Sequence, residues 1–98
     1  MNIRHAAALA LVGWYLMTPP PLFHSTPDVD LDAPLRKWTV YEALDSAQEC
    51  EADRNASYHL ANQKALGDPT DDPKLRIMRD QLAASQCIAT DDPRLKGN

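Results

Sequence analysis

The chain has 98 residues, a formal net charge of −4 and two cysteines, with a mean hydropathy of −0.46. That length allows one small domain with a thin core and no room for a deep substrate pocket. From His24 onward nine Lys and Arg stand against fourteen Asp and Glu, a balance that disfavours phosphate backbones and anionic membrane surfaces and argues against nucleic-acid binding.

The N-terminus reads as an export signal. A positively charged start carrying Arg4 precedes Ala6 to Met17, twelve residues without a charge, the pattern of a signal-peptide apolar region. As a helix this run spans about 18 Å, short of a hydrocarbon layer of roughly 30 Å. No small-x-small cleavage pair follows it, because Thr18-Pro-Pro-Pro21 occupies the place. Residues 1–17 are therefore expected to be an apolar helix, either a removed signal peptide or an uncleaved membrane anchor with Trp14 and Tyr15 at headgroup level. No cysteine near the segment supports a lipid anchor.

Residues 18–35 hold five of the eight prolines and no apolar periodicity, which reads as an extended spacer. Asp28-Val-Asp30-Leu-Asp32 starts like a calcium loop, but Ala33 occupies the position that needs glycine and Thr39 the position that needs a bidentate glutamate. A solvated acidic segment is the better reading.

The folded domain is expected over residues 36–98. Lys37 to Ala43 is rich in strand-forming types, Trp38, Thr39, Val40 and Tyr41. Ser46-Ala-Gln-Glu49 is a capping box that starts a helix at Ala47. This helix can run to Leu66, where Gly67 offers a left-handed cap and Asp68-Pro69 blocks continuation; Arg54 interrupts its apolar stripe. A second helix has Asp72 as N-cap, Pro73 in first position and Leu75, Met78 and Leu82 on one face, ending near Ala84 or Ser85. Gln86 to Thr90 reads as a second strand, pairing antiparallel with Trp38 to Glu42. The fold class is thus α+β, strand-helix-helix-strand, with a helical hairpin on a two-stranded antiparallel ribbon.

In an exported chain an even cysteine count reads as one disulfide, here Cys50 to Cys87. Closing that loop of 37 residues is worth about 4 kcal/mol in the chain-entropy model. Cys50 also falls in the first helical turn, where the dipole favours thiolate, which keeps a redox-active thiol as the rival reading. Thr70-Asp-Asp-Pro-Lys-Leu-Arg76 returns as Thr90-Asp-Asp-Pro-Arg-Leu-Lys96. The repeat is either reuse of a convenient Asp-Pro helix start or a C-terminal docking element presenting Arg94 and Lys96.

The Trp38 to Glu51 stretch, the Cys87 to Leu95 ending and Gly13-Trp-Tyr-Leu-Met-Thr-Pro-Pro20 together resemble a family of small, uncharacterised exported bacterial proteins. These pair a tryptophan and an aspartate-initiated helix carrying Cys-Glu in its first turn with a late cysteine followed by Asp-Asp-Pro-Arg-Leu. Leu44 stands where that pattern has an aromatic residue. The resemblance implies architecture and export, and no activity, cofactor or partner.

The residues for catalysis are missing. Cys50 and His59 are nine positions apart, on opposite sides of one helix at about 100° per residue, and Ser57 and His59 diverge as i and i+2. Two isolated cysteines without a Cys-x-x-Cys spacing supply neither a zinc site nor a redox motif. Asn55-Ala-Ser57 matches a glycosylation sequon incidentally, in a helical setting, and Asp72 and Asp80 lie at i−4 and i+4 from Arg76 for local pairing. No cofactor or metal is expected. The reading is a non-enzymatic cell-envelope domain, periplasmic or membrane-anchored, acting through protein contacts that could use Trp38, Arg94 and Lys96. The alternative is an exported thiol-redox or small-ligand-binding protein.

Overall fold

A computed structural model describes residues 13–23 and 27–96. The fold is α+β: β1 (Trp14–Thr18), β2 (Pro21–Phe23), β3 (Pro27–Val29), a 3-10 turn (Leu35–Lys37), β4 (Thr39–Leu44), α1 (Ala47–Leu66), α2 (Pro73–Ala83), β5 (Gln86–Ala89) and a second 3-10 turn (Pro93–Lys96). The strand-helix-helix-strand order expected over the C-terminal two thirds is present, as is the disulfide.

The sheet differs from the expected ribbon in one respect. It has three strands in the order β4-β1-β5, so the segment expected to pair with Trp38 to Glu42 is separated from it by β1. Trp14 to Met17 is therefore strand, where the uncharged run predicted the end of an apolar helix. β1 pairs antiparallel on both sides, with Leu16 opposite Glu42 of β4 and Cys87 of β5. Leu16 is fully buried and Met17 and Thr18 nearly so. A central strand is covered on both faces and reads as a continuous apolar run, which periodicity alone cannot tell from a helix. The expectation for Ala6 to Val12 lies outside the described residues.

The proline-rich stretch is also structured. β2 and β3 form an antiparallel hairpin, Pro21 opposite Val29, whose exit is held by Asp30 N–H donating to Pro20 O at 2.8 Å. The hairpin packs beside α2, and Gln81 Nε2 of α2 donates to Pro19 O at 2.9 Å.

Opposed residues in antiparallel pairs share a face. Leu16, Glu42 and Cys87 face α1, which packs on all three strands. Tyr15 lies between Ala43 and Ile88 on the other face, with Met17 between Val40 and Gln86. The two 3-10 turns pack on one another. β4 starts at one end of the sheet and β5 finishes at the other, and Met17 and Ile88 are buried on the face away from α1. The register slips between Leu16 and Met17, leaving Tyr41 of β4 without an opposite residue. This bulge bends the edge strand and raises its twist.

The helix ends follow their sequence signals with one exchange of roles. Ser46 Oγ accepts from Glu49 N–H at 3.0 Å and donates to Glu49 Oε1 at 3.0 Å, and Asp72 Oδ1 accepts from Lys74 N–H at 2.9 Å with Pro73 in first position. Gly67, expected to be left-handed, stays right-handed at φ −87° while its N–H closes the last turn on Gln63 O at 3.0 Å. The left-handed residue is Asp71, at φ 53°, a conformation that aspartate tolerates better than most residues. Asp68 organises the reversal instead: its carboxylate accepts from the N–H groups of Thr70 and Asp72 and from the Thr70 hydroxyl. These bonds hold its pKa below the ordinary range, the Asp72 amide contributing most.

The core consists of Leu16, Met17, Cys50, Ala61, Ile77, Leu82 and Ile88. Ile77 takes the inward position of α2, and Met78, expected on the apolar face, is 42 % exposed. α1 contributes only Cys50 and Ala61, so packing holds it weakly and the covalent tie at its start matters correspondingly. Leu16→Ala is expected to lower unfolding free energy by about 3 kcal/mol, and reduction of the disulfide by about 4 kcal/mol, both read from urea midpoints by circular dichroism. A Leu16→Ala protein as stable as the parent would contradict the central placement of β1.

Candidate functional site

Cys50 enters the core because the capping box sets the first turn of α1 against the sheet. Its neighbour is Cys87, whose side chain lies on the same sheet face as Leu16. The Cα atoms are 6.0 Å apart and the bond is formed, within the range that a disulfide spans. Cys50 is completely buried. A redox-active cysteine needs an accessible sulfur for attack; Cys50 offers none, while Cys87 is half-buried, which gives the bond the surroundings of a structural link on the Cys50 side.

Beside the disulfide, β4 and α1 bring two carboxyls together. Glu42 faces α1 from the edge strand, and Asp53 lies on the sheet side of the helix. The Asp53 carboxyl raises the pKa of Glu42 above 4.5, through the hydrogen bond between them first and charge repulsion second. Asp53 Oδ2 is buried and has no hydrogen-bond partner among the described residues. Two carboxylates cannot donate to each other, so a bond between them forms only when one of the two carries a proton.

Arg54, which interrupts the apolar stripe of α1, has a structural explanation. Its Nε donates to Ser85 O at 2.8 Å and its Nη1 lies 3.3 Å from Glu51 Oε1. Ser85 is buried, and its hydroxyl donates back to Leu82 O. Arg54 thus ties α1 to the short link between α2 and β5. Next to it, Arg54, Asn55, Tyr58, Leu82 and Ala83 line an open groove of about 220 Å³ between the helices.

The residues considered for interaction lie at the two 3-10 turns, which pack on one another. Trp38 is half-buried, and its Nε1 donates to Ala33 O at 2.9 Å, tying the end of the first 3-10 turn to the preceding loop. Arg94 is exposed and fork-bonded to Asp92, with Nη2 to Oδ2 at 2.8 Å and Nε to Oδ1 at 3.1 Å. The pair raises the Arg94 pKa and lowers that of Asp92, through the side-chain hydrogen bond first in each case. Lys96 is exposed. The second Asp-Pro copy repeats the first in detail: Asp92 Oδ1 accepts from Arg94 N–H at 2.9 Å, and Leu95 N–H donates to Asp92 O at 3.1 Å, as Leu75 N–H donates to Asp72 O at 3.1 Å. With the second turn resting on the first, this ending is docked on the domain itself.

His59 is exposed and within 3.2 Å of Gln63 Nε2. Among the described residues no three His, Cys, Asp or Glu side chains are grouped to hold a metal ion. Arg76 pairs with Asp71 at 3.3 Å instead of with Asp72 or Asp80, because Asp72 caps α2 and Asp80 takes Arg79 at 3.1 Å. Sequence reasoning missed the groove and the Glu42–Asp53 contact. The interruption at Arg54 pointed to the first; nothing local pointed to the second, which depends on the pairing of β4.

Comparison with protein-family models, curated proteins and solved structures finds no match.

The Glu42–Asp53 contact gives a signed expectation. A folded pKa above the unfolded one adds stability below the unfolded value, and the gain is lost as pH rises through the folded value. The urea midpoint of the parent should therefore fall, relative to Glu42→Gln, as pH is raised from below 4.5 through the raised Glu42 value. Parallel pH profiles for the two proteins would remove the proton-sharing contact.

Proposed function

We propose that this chain is an exported, non-enzymatic domain of the cell envelope, periplasmic or membrane-anchored, that works through protein contacts. The observation that carries the reading is the Cys50–Cys87 bond, which joins α1 to β5 with Cys50 fully buried, because such links persist in oxidising compartments and are rare in the cytosol. The positively charged, then uncharged start of the sequence supports the same destination. Among the described residues no helix is long and apolar enough to cross a membrane.

The fold narrows how such a chain could be processed. Cleavage after Met17 would remove Trp14 to Met17 and with them the centre of the sheet. On this proposal the mature chain begins at or before Gly13, whose carbonyl accepts from Thr90 N–H at 3.0 Å. Contact with a partner would use the side of the domain formed by the two 3-10 turns, where Trp38, Arg94 and Lys96 lie.

The test is thiol trapping of the tagged full chain in intact bacterial cells, with mass spectrometry of the mature N-terminus and of in-cell crosslinks. The expected result is an oxidised pair, a terminus no later than Gly13, and crosslinks from Lys96 to an envelope protein. A wholly cytosolic chain with both thiols alkylated would overturn the proposal.

A further inference from the structure

The groove between α1 and α2 has a composition that its structural duties do not account for. Arg54 uses Nε on Ser85 O and Nη1 on Glu51, so the guanidinium is anchored at two points while Nη2 makes no hydrogen bond among the described residues. Its side chain is 34 % exposed, which leaves the charge partly stripped of water. One residue and one turn further along α1, Asn55 and Tyr58 line the same groove and likewise make no side-chain hydrogen bond among the described residues. The other wall is apolar, with the buried Leu82 below and Ala83 too small to close the opening.

Three groups able to donate hydrogen bonds, one of them a fixed cation, thus meet beside an aromatic ring and two aliphatic side chains. Donors call for a ligand rich in acceptors, the cation for an anion, and the flat apolar wall for a planar body. Arginine offers parallel donors to a carboxylate and stacks on planar groups. We propose that the groove binds a small planar carboxylate, with the carboxylate on Arg54 Nη2 and Asn55 and the ring between Tyr58 and Leu82. Glu51 sits at the rim as the competing anion, occupying Nη1 of the same guanidinium. The inference is independent of where the protein resides.

Benzoate is the probe, titrated into the oxidised full chain and followed by amide NMR shifts. A ligand of this size in an open groove is expected to bind with a dissociation constant of roughly 1–10 mM, with shifts concentrated at residues 54–58 and 82–83. Benzamide, of the same shape without the charge, should bind at least about tenfold more weakly if a charge-assisted hydrogen bond is what holds the ligand. Tyr58→Ala should weaken benzoate binding. Glu51→Gln, at an exposed position, should strengthen it several-fold by removing the competing negative charge beside Nη1, a gain that damage to the fold could not produce. Equal shifts with benzamide, shifts centred elsewhere, no shifts at concentrations well above this range, or an unchanged affinity in Glu51→Gln would each overturn the proposal.

Discussion

The fold depends on a five-residue strand that finds both its partners far along the chain. β1 must align Leu16 with Glu42 on one side and with Cys87 on the other, and each consequence follows from that alignment. It places Cys87 under the first turn of α1, where Cys50 can reach it. It also turns Glu42 toward Asp53 and leaves β4 as an edge. A one-residue slip would reverse every side chain of β1 between the faces, sending Leu16 to the face away from α1. Apolar burial fixes the register of β1, and the covalent bond fixes β5 against α1.

The polar parts are arranged around the same frame by commitments already made. Asp72 and Asp92 are spent on capping amides, and Asp68 on the turn between the helices. The acidic surplus of the composition is therefore partly a structural resource: several carboxylates take backbone donors that would otherwise lack partners. Such local uses explain why Arg76 pairs with Asp71 while Asp72 caps α2, whereas Asp92 serves twice, taking both the amide and the guanidinium of Arg94.

Local signals in the sequence were sufficient for the helices. Ser46-Ala-Gln-Glu49, Asp72-Pro73 and Asp68-Pro69 act over four residues or fewer, and the helices start and stop where those residues place them. Cys50 and Cys87 were legible because there are only two. β1 was hidden for a physical reason: a strand buried on both faces loses the alternation that identifies strands, and Trp14 to Met17 continued an uncharged run. The available signal was compositional, since Trp14, Tyr15 and Thr18 suit a strand and Gly13 and Pro19 bound it. Gly67 and Asp71 exchanged the left-handed role because Asp68 supplies a carboxylate turn that glycine would have made unnecessary. The groove lies inside the expected helical hairpin and was hinted at only by Arg54, whereas the carboxyl pair was beyond local reading, as it joins β4 to α1 and depends on the sheet.

The central position of β1 also shapes how the chain can acquire its structure. The strand is the first described element to be synthesised, and its second partner, Gln86–Ala89, is nearly the last. Pairings of such sequence separation require large loops to close before they are rewarded, which slows folding. Until β5 emerges, Leu16 and Met17 have no complete sheet to enter, and α1 has no cysteine to join. An apolar strand that must wait for its second partner leaves unaided refolding of the reduced chain exposed to aggregation.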